Sequence, residues 1–190
     1  MIKRYKWLLF VAGICSLAAC RSDNQRYEDS VARELATGIR QDSIFMGIKL
    51  GMTSKEFYAH CWRMNKKGLF FEGPGNMSVL YHFKNELKHP ATMTFYPDFR
   101  QNKINKMGVT FSYDAFAPWN KALFADSLQL DVFNLFKKWY KGADFLTMTD
   151  PVRGTIFVQV KGNRRIIIGK YDEQRVKVDF TDLLTENSKK

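Results

Sequence analysis

The segment Ala91-Thr92-Met93-Thr94-Phe95-Tyr96 decides the fold, because apolar side chains alternate in it with more polar ones. Successive side chains of a strand point to opposite faces, so the segment predicts a strand with one buried and one wetter face. Two neighbouring segments repeat this period with Val79, Tyr81 and Phe83, and with Met107, Val109, Phe111 and Tyr113. Together they predict an antiparallel sheet whose wetter face carries Thr92, Thr94, Tyr96, Thr110 and Ser112, with a turn at Pro97-Asp98.

A helix is predicted before this sheet, starting at Thr53. Glu56 follows Thr53 by three residues, which is the spacing of a capping box, and Gly68 is a natural stop. The residues expected on its apolar face are Phe57, Tyr58, Cys61, Trp62 and Met64.

The same order of elements then recurs. Pro118 predicts a short helical turn, and a helix follows with Leu128, Val132, Leu135, Phe136 and Trp139 on one stripe. Three strands are predicted at residues 155–161, 164–170 and 175–181, the first two joined by the hairpin turn Gly162-Asn163. The sequence thus predicts an α+β domain at residues 28–185, with helices packed on one face of an antiparallel sheet and two tandem helix-then-strands modules, residues 28–115 and 116–185.

The chain opens with a basic and then apolar stretch that ends at Leu17-Ala18-Ala19-Cys20. A positive start, a short apolar run and small residues before the cut predict that residues 1–19 are a signal peptide. The motif resembles the lipobox of bacterial lipoproteins. That resemblance implies cleavage before Cys20, a diacylglyceryl thioether on its sulfur and, usually, a further acyl group on the new amino terminus.

Two other interpretations of this segment are a transmembrane helix and an ordinary signal peptide. A transmembrane helix needs about 20 apolar residues, more than this run provides. An ordinary signal peptide with a chance cysteine at the cut stays open.

Because a lipid anchor at Cys20 would attach the protein to a membrane, we expect a protein of the bacterial cell envelope. It is expected in the outer membrane facing the periplasm or, alternatively, at the cell surface. Residues 20–27 are expected to be a tether, residues 28–39 to contain a short amphipathic helix, and residues 186–190 to be a polar tail.

The segment Gly47-Ile48-Lys49-Leu50-Gly51-Met52-Thr53-Ser54-Lys55-Glu56-Phe57 is similar to the opening of BamE-like envelope lipoproteins, in which a Gly-Met-Thr turn leads into the first helix. The tandem order of elements is similar to the β-lactamase-inhibitor-protein architecture, in which two such modules share one sheet. The second module has Ala125-Asp126-Ser127 in place of Gly-Met-Thr. The resemblance implies a fold and says little about activity.

The charge of the chain bears on its partners. The net charge is +11, and Lys3, Arg4 and Lys6 of the signal contribute three of these charges, which leaves +8 after cleavage. This excess of positive charge favours anionic lipid headgroups, acidic glycans or an acidic protein surface as partners. Scattered surface lysines that only keep the protein soluble would explain the charge as well. Export argues against nucleic acid as a partner.

No catalytic or metal-binding set is evident in the sequence. Cys61 lies on the apolar stripe, where a buried and inert thiol is expected, and it cannot pair with the adjacent His60 on one helix. His60, His82 and His89 lack the spacing of a zinc site, and no cofactor is expected. Phe99, Arg100 and Trp119 have the composition of interface anchors, although each could instead fold back onto the core.

We therefore expect a non-enzymatic, membrane-tethered module that binds an envelope protein or a glycan through its sheet and loops. The alternative is a carrier whose methionine and aromatic side chains line a cavity for a lipid or another apolar ligand.

Overall fold

The computed structural model describes residues 22–187, and Cys20 lies outside the described residues. The described part contains the helices α1 (Asp23–Ala36), α2 (Ser54–Lys66), α3 (Ala125–Trp139) and α4 (Leu183–Asn187), and short 3-10 turns at Pro74–Asn76 and Lys121–Leu123. Its strands are β1 (Phe71–Glu72), β2 (Val79–Phe83), β3 (Ala91–Arg100), β4 (Lys103–Tyr113), β5 (Leu146–Asp150), β6 (Gly154–Lys161), β7 (Arg164–Lys170) and β8 (Arg175–Asp182).

The described strands form one antiparallel sheet in the order β1-β2-β3-β4-β8-β7-β6-β5. Each strand pairs with its neighbour in the chain except at the centre, where β4 pairs with β8 and Val109 lies opposite Val178. The helix α2 precedes the first four strands and α3 precedes the other four. The predicted α+β class and the tandem order of helix and strands are therefore confirmed.

One face of this sheet carries the main core. Phe57 of α2 and Phe136 of α3 are fully buried there with Phe95, Phe111 and Phe180 of the sheet. The capping box predicted for α2 is present: the Thr53 hydroxyl accepts from the Glu56 amide, and the Glu56 carboxylate accepts from the Thr53 amide at 2.8 Å. The predicted stripe of α3 is buried except at Trp139, which is partly exposed.

The helix α1 departs from the predicted arrangement, because it packs on the opposite face of the sheet. Tyr27, Val31 and Leu35 contact a second apolar cluster formed by β6 residues and Leu183. The chain then crosses to the core face over the β6–β7 turn. A side chain at Gly162 would lie 2.3 Å from the Ile39 carbonyl oxygen, so this turn needs glycine for the crossing as well as for its positive φ of 55°.

The predicted tether is wrong at residues 23–27, which form the first turns of α1. The reason is a second capping box, in which the Ser22 hydroxyl accepts from the Gln25 amide and the Gln25 side chain accepts from the Ser22 amide. The helix also ends before Ile39, which is exposed. At the other end of the domain, Glu186 was assigned to the polar tail but belongs to α4, where it pairs with Arg165 and Lys106.

The turn predicted at Pro97-Asp98 is also wrong, because β3 continues to Arg100 with a bulge after Asp98. Proline is tolerated there since β3 pairs with β2 only as far as Phe95. The chain reverses instead at Gln101 and Asn102, whose φ angles are 49° and 61°. The short strands β1 and β5 were not predicted.

Candidate functional site

A concave and mainly apolar surface lies between α2 and the start of β2. This aromatic groove has a volume of about 290 Å³, and its main lining residues are Tyr58, Cys61, Trp62, Phe71, Val79 and Tyr96. Phe57 and Phe70 form its floor, and both are buried. The groove therefore opens from the core to the surface along one side of α2.

The groove exists because two neighbouring strands differ in length. Pairing between β2 and β3 stops at the Val79–Phe95 pair, whereas β3 runs on through Tyr96 to Arg100. The side of β3 that faces β2 is thus unpaired beyond Phe95. The helix α2 lies against this uncovered end, where the rings of Phe57 and Phe99 are 6.0 Å apart.

Four large aromatic side chains are exposed around the groove. Their exposed fractions are 60% for Trp62, 52% for Tyr58, 43% for Phe71 and 40% for Tyr96. Single exposed apolar residues are ordinary, but a contiguous apolar patch rimmed by polar residues marks an interaction surface. Tryptophan and tyrosine are also the residues most enriched at the energetic centres of interfaces.

The two tyrosines of the groove are joined to each other. The hydroxyls of Tyr58 and Tyr96 are 2.6 Å apart, which ties α2 to the free end of β3. This hydrogen bond raises the pKa of Tyr96 above its ordinary value, with burial as a smaller cause. The hydrogen bond between the two hydroxyls holds this wall of the groove in place.

The last turn of α2 gives the rim of the groove a positive charge. The Nζ of Lys66 lies 3.6 Å from the centre of the Trp62 ring, whereas Arg63 lines a separate pocket on the other side of α2. A cation over an indole ring gains about 0.5–1 kcal/mol at an exposed site. Since Glu72 also lines the groove, both charge signs are present at its edge, and the apolar lining is the feature that favours a ligand.

The wetter face of the sheet that the sequence predicted is present. Thr92, Thr94, Thr110 and Ser112 are half-exposed on it, and Tyr96 links it to the aromatic groove. A wide depression of about 780 Å³ lies on this face. Its charged side chains are largely neutralised by one another, as where Asp179 pairs with both Arg153 and Lys177.

Cys61 lies in the groove and is half-buried, less enclosed than the sequence predicted. Burial raises the pKa of its thiol to about 11, so the thiol is protonated at neutral pH. The thiolate is the nucleophilic form of cysteine, and this environment disfavours it.

The histidines are held apart by separate contacts. His60 Nε2 lies 2.8 Å from the Met46 carbonyl oxygen, His82 Nδ1 lies 2.9 Å from the Thr92 hydroxyl, and His89 packs edge-on against Tyr113. Between residues 22 and 187, no three His, Cys, Asp or Glu side chains are grouped closely enough to hold a metal ion.

The structure does not bring the three predicted anchors together. Phe99 is half-buried behind the aromatic groove, 6.3 Å from the Tyr58 ring. Arg100 donates from Nη1 to the Thr185 carbonyl, and this hydrogen bond joins the end of β3 to α4. Trp119 is 87% exposed, but it follows the far end of β4, whose eleven residues span roughly 35 Å from the strand start beside Arg100.

Sequence reasoning assigned Tyr58 and Trp62 to the core face of α2, where the structure exposes them. Phe57, Cys61 and Met64 form the stripe that packs on the sheet, and Tyr58 and Trp62 lie about 100° further round the helix. The amount of the helix that the sheet covers depends on where β2 ends, which the sequence of α2 does not encode.

No protein-family model, curated protein or solved structure matches this chain. Among the helices of residues 22–187, none is both long and apolar enough to span a membrane.

Proposed function

We propose that this chain is a membrane-anchored, non-enzymatic module of the bacterial envelope that binds a partner protein through the aromatic groove. The observation that carries the proposal is the contiguous exposure of Tyr58, Trp62, Phe71 and Tyr96 around one open depression. Attachment through Cys20 would hold this surface within a domain's width of the membrane. Acylation by more than one chain provides durable anchoring, since each buried CH₂ contributes about 0.8 kcal/mol.

A protein segment fits the groove better than a glycan. The lining is mainly apolar, and three of its polar side chains already have partners: the Asn65 amide donates to the Phe70 carbonyl at 2.8 Å, and the hydroxyls of Tyr58 and Tyr96 bind each other. A glycan needs free hydrogen-bonding groups beside the rings on which it stacks. With Lys66 over the Trp62 ring and Glu72 at the edge, the groove favours a segment whose apolar side chains are flanked by charged ones of either sign.

The carrier hypothesis has weaker support. The space between the helices and the sheet is filled by packed aromatic rings, with Phe45 5.0 Å from Phe95 and Phe136 5.9 Å from Phe180. The groove is open along its length, so an acyl chain lying in it would keep one side in water. An apolar ligand that co-purifies with the protein, detected by native mass spectrometry, would favour the carrier over the protein-binding module.

The proposal is tested in two steps. The partner is first identified by crosslinking in the native membrane, and its affinity for purified variants is then measured. The change Trp62→Ala is expected to weaken binding roughly 30-fold or more, the effect of removing an interface hot spot. The melting temperature should stay the same, because Trp62 is largely exposed.

The matched control is Trp119→Ala, which removes an exposed tryptophan at the opposite end of the sheet. The control should bind the partner like the unmodified protein. Equal weakening by both changes, or no weakening by Trp62→Ala, would contradict the proposal. If a purified glycan competes with the partner protein for the groove, the ligand of the groove is a glycan and not a protein.

A further inference from the structure

A second pocket lies at the β6–β7 hairpin and shares no lining residue with the aromatic groove. It has a volume of about 220 Å³ and is lined by Ser43, Trp139, Tyr140, Lys141, Lys161 and Arg164, with Gln41 and Ile44. Lys161 and Arg164 are directly opposite each other across the Gly162-Asn163 turn. Residues so placed have Cβ atoms about 5 Å apart, and like charges there destabilise a hairpin.

Arg164 is only 4% exposed, which is unusual for a guanidinium group. Its Nη1 donates to the Ser43 carbonyl, and its Cζ lies 4.6 Å from the centre of the Tyr140 ring. The Nε is buried and has no acceptor among the described residues. A guanidinium carries five N–H donors, so most of its hydrogen-bonding capacity is not used by residues 22–187.

Among residues 22–187, no acidic residue lines the pocket. Asp182 lies opposite Arg164 in the β7–β8 ladder, but its carboxylate accepts from Arg40 and Asn163 and forms no ion pair with Arg164. The Lys161 ammonium donates to the neutral Lys141 carbonyl at 3.1 Å. The positive charges of Arg164, Lys161 and Lys141 therefore meet at one pocket that has no negative charge in its walls.

Burying a charge is costly unless an opposite charge or a full set of hydrogen bonds accompanies it. A bound anion would supply the opposite charge to Arg164 and would relieve the repulsion between Arg164 and Lys161. We propose that this pocket binds a small oxyanion, a carboxylate or a phosphate, between these two side chains. The planar guanidinium matches either group, the ammonium adds a second cation, and the rings of Trp139 and Tyr140 provide a wall for an apolar substituent.

The experiment is a titration of the full-length protein in detergent with sodium phosphate and, separately, with sodium acetate. Ionic strength is held constant with sodium chloride, and heat of binding and melting temperature are recorded. We expect a saturable signal and a rise in melting temperature with at least one anion. The change Lys161→Met is expected to weaken binding about tenfold, the effect of losing one charge-assisted hydrogen bond. Arg164→Met is expected to abolish binding.

The control is Arg175→Met. Arg175 stacks on Tyr171 at the same 4.6 Å, but it is exposed and paired with Asp172, so its loss should leave anion binding unchanged. A response to only one of the two anions identifies the oxyanion. Absence of a saturable response to both, or an undiminished response in Lys161→Met, would overturn the proposal. The Lys161 variant decides the matter even where Arg164→Met does not fold, because Lys161 is half-exposed.

Discussion

The hydroxyl oxygens of Tyr58 and Tyr96 lie 2.6 Å apart and join helix α2 to the strand end that β2 leaves uncovered. This contact forms one wall of the aromatic groove and connects it to the wetter face of the sheet. This hydrogen bond acts together with the buried Phe57 ring, which contacts the rings of both Tyr58 and Tyr96, to shape the proposed binding surface.

Removing that hydrogen bond should cost little stability. In Tyr58→Phe, Tyr96→Phe and the double variant, we expect each single change to lower the free energy of unfolding by about 0.5–1.5 kcal/mol. The double variant should lose no more than the larger single change, because both remove the same bond. Urea unfolding measures this. Tyr171→Phe is the control, since its hydroxyl makes no hydrogen bond within residues 22–187. Fully additive losses would show that the bond does not form.

The sequence predicted the elements that depend on neighbouring residues. The Thr53–Glu56 box and the alternation from Ala91 to Phe95 are local, and the structure has both. The groove is not local, because it depends on β2 stopping at Val79 while β3 continues through Pro97. The start of α1 could have been found, since Ser22 and Gln25 have the spacing of a capping box. The packing of α1 on the opposite face could not, because it requires the register of β6.

The buried carboxylate of Asp131 should be essential for stability. It accepts from the Tyr113 hydroxyl at 2.7 Å and from the Lys88 amide at 3.0 Å, and burial together with this bond raises the pKa of Tyr113. Asp131→Ala leaves both donors without an acceptor, so we expect a loss of about 2–4 kcal/mol in chemical denaturation.

The matched control for Asp131 is Lys88→Met. The Lys88 ammonium is 3.5 Å from the carboxylate but largely exposed, and an exposed ion pair contributes less than about 1 kcal/mol. Equal losses from Asp131→Ala and Lys88→Met would show that the carboxylate acts only through the ion pair.

Stability should fall at alkaline pH, in part because of Cys61. Burial raises the pKa of its thiol from 9.0 to about 11. Between these values the unfolded chain releases a proton that the folded chain keeps, so the free energy of unfolding decreases as pH rises through this window. Urea midpoints measured from pH 8 to 11 should fall less steeply in Cys61→Val. An unchanged slope would mean that the thiol titrates normally in the folded protein.

The helix α1 should open independently of the core. It has no fully buried residue and contacts the sheet through Tyr27, Val31 and Leu35. In Leu35→Ala we expect faster hydrogen exchange across Asp23–Ala36 and unchanged exchange in β4 and β8. Leu130→Ala is the control, because Leu130 is exposed on α3. Simultaneous acceleration of α1 and the central strands would show one cooperative unit.

Site-specific photocrosslinking in the native membrane tests the central claim most directly. A photoreactive phenylalanine derivative placed at Trp62 reports on the aromatic groove, and the same group at Trp119 reports on a still more exposed position at the far end of the sheet. We predict a discrete protein adduct from position 62 and none from position 119. An adduct from position 119 alone, or no adduct from position 62, would contradict the groove as the binding surface.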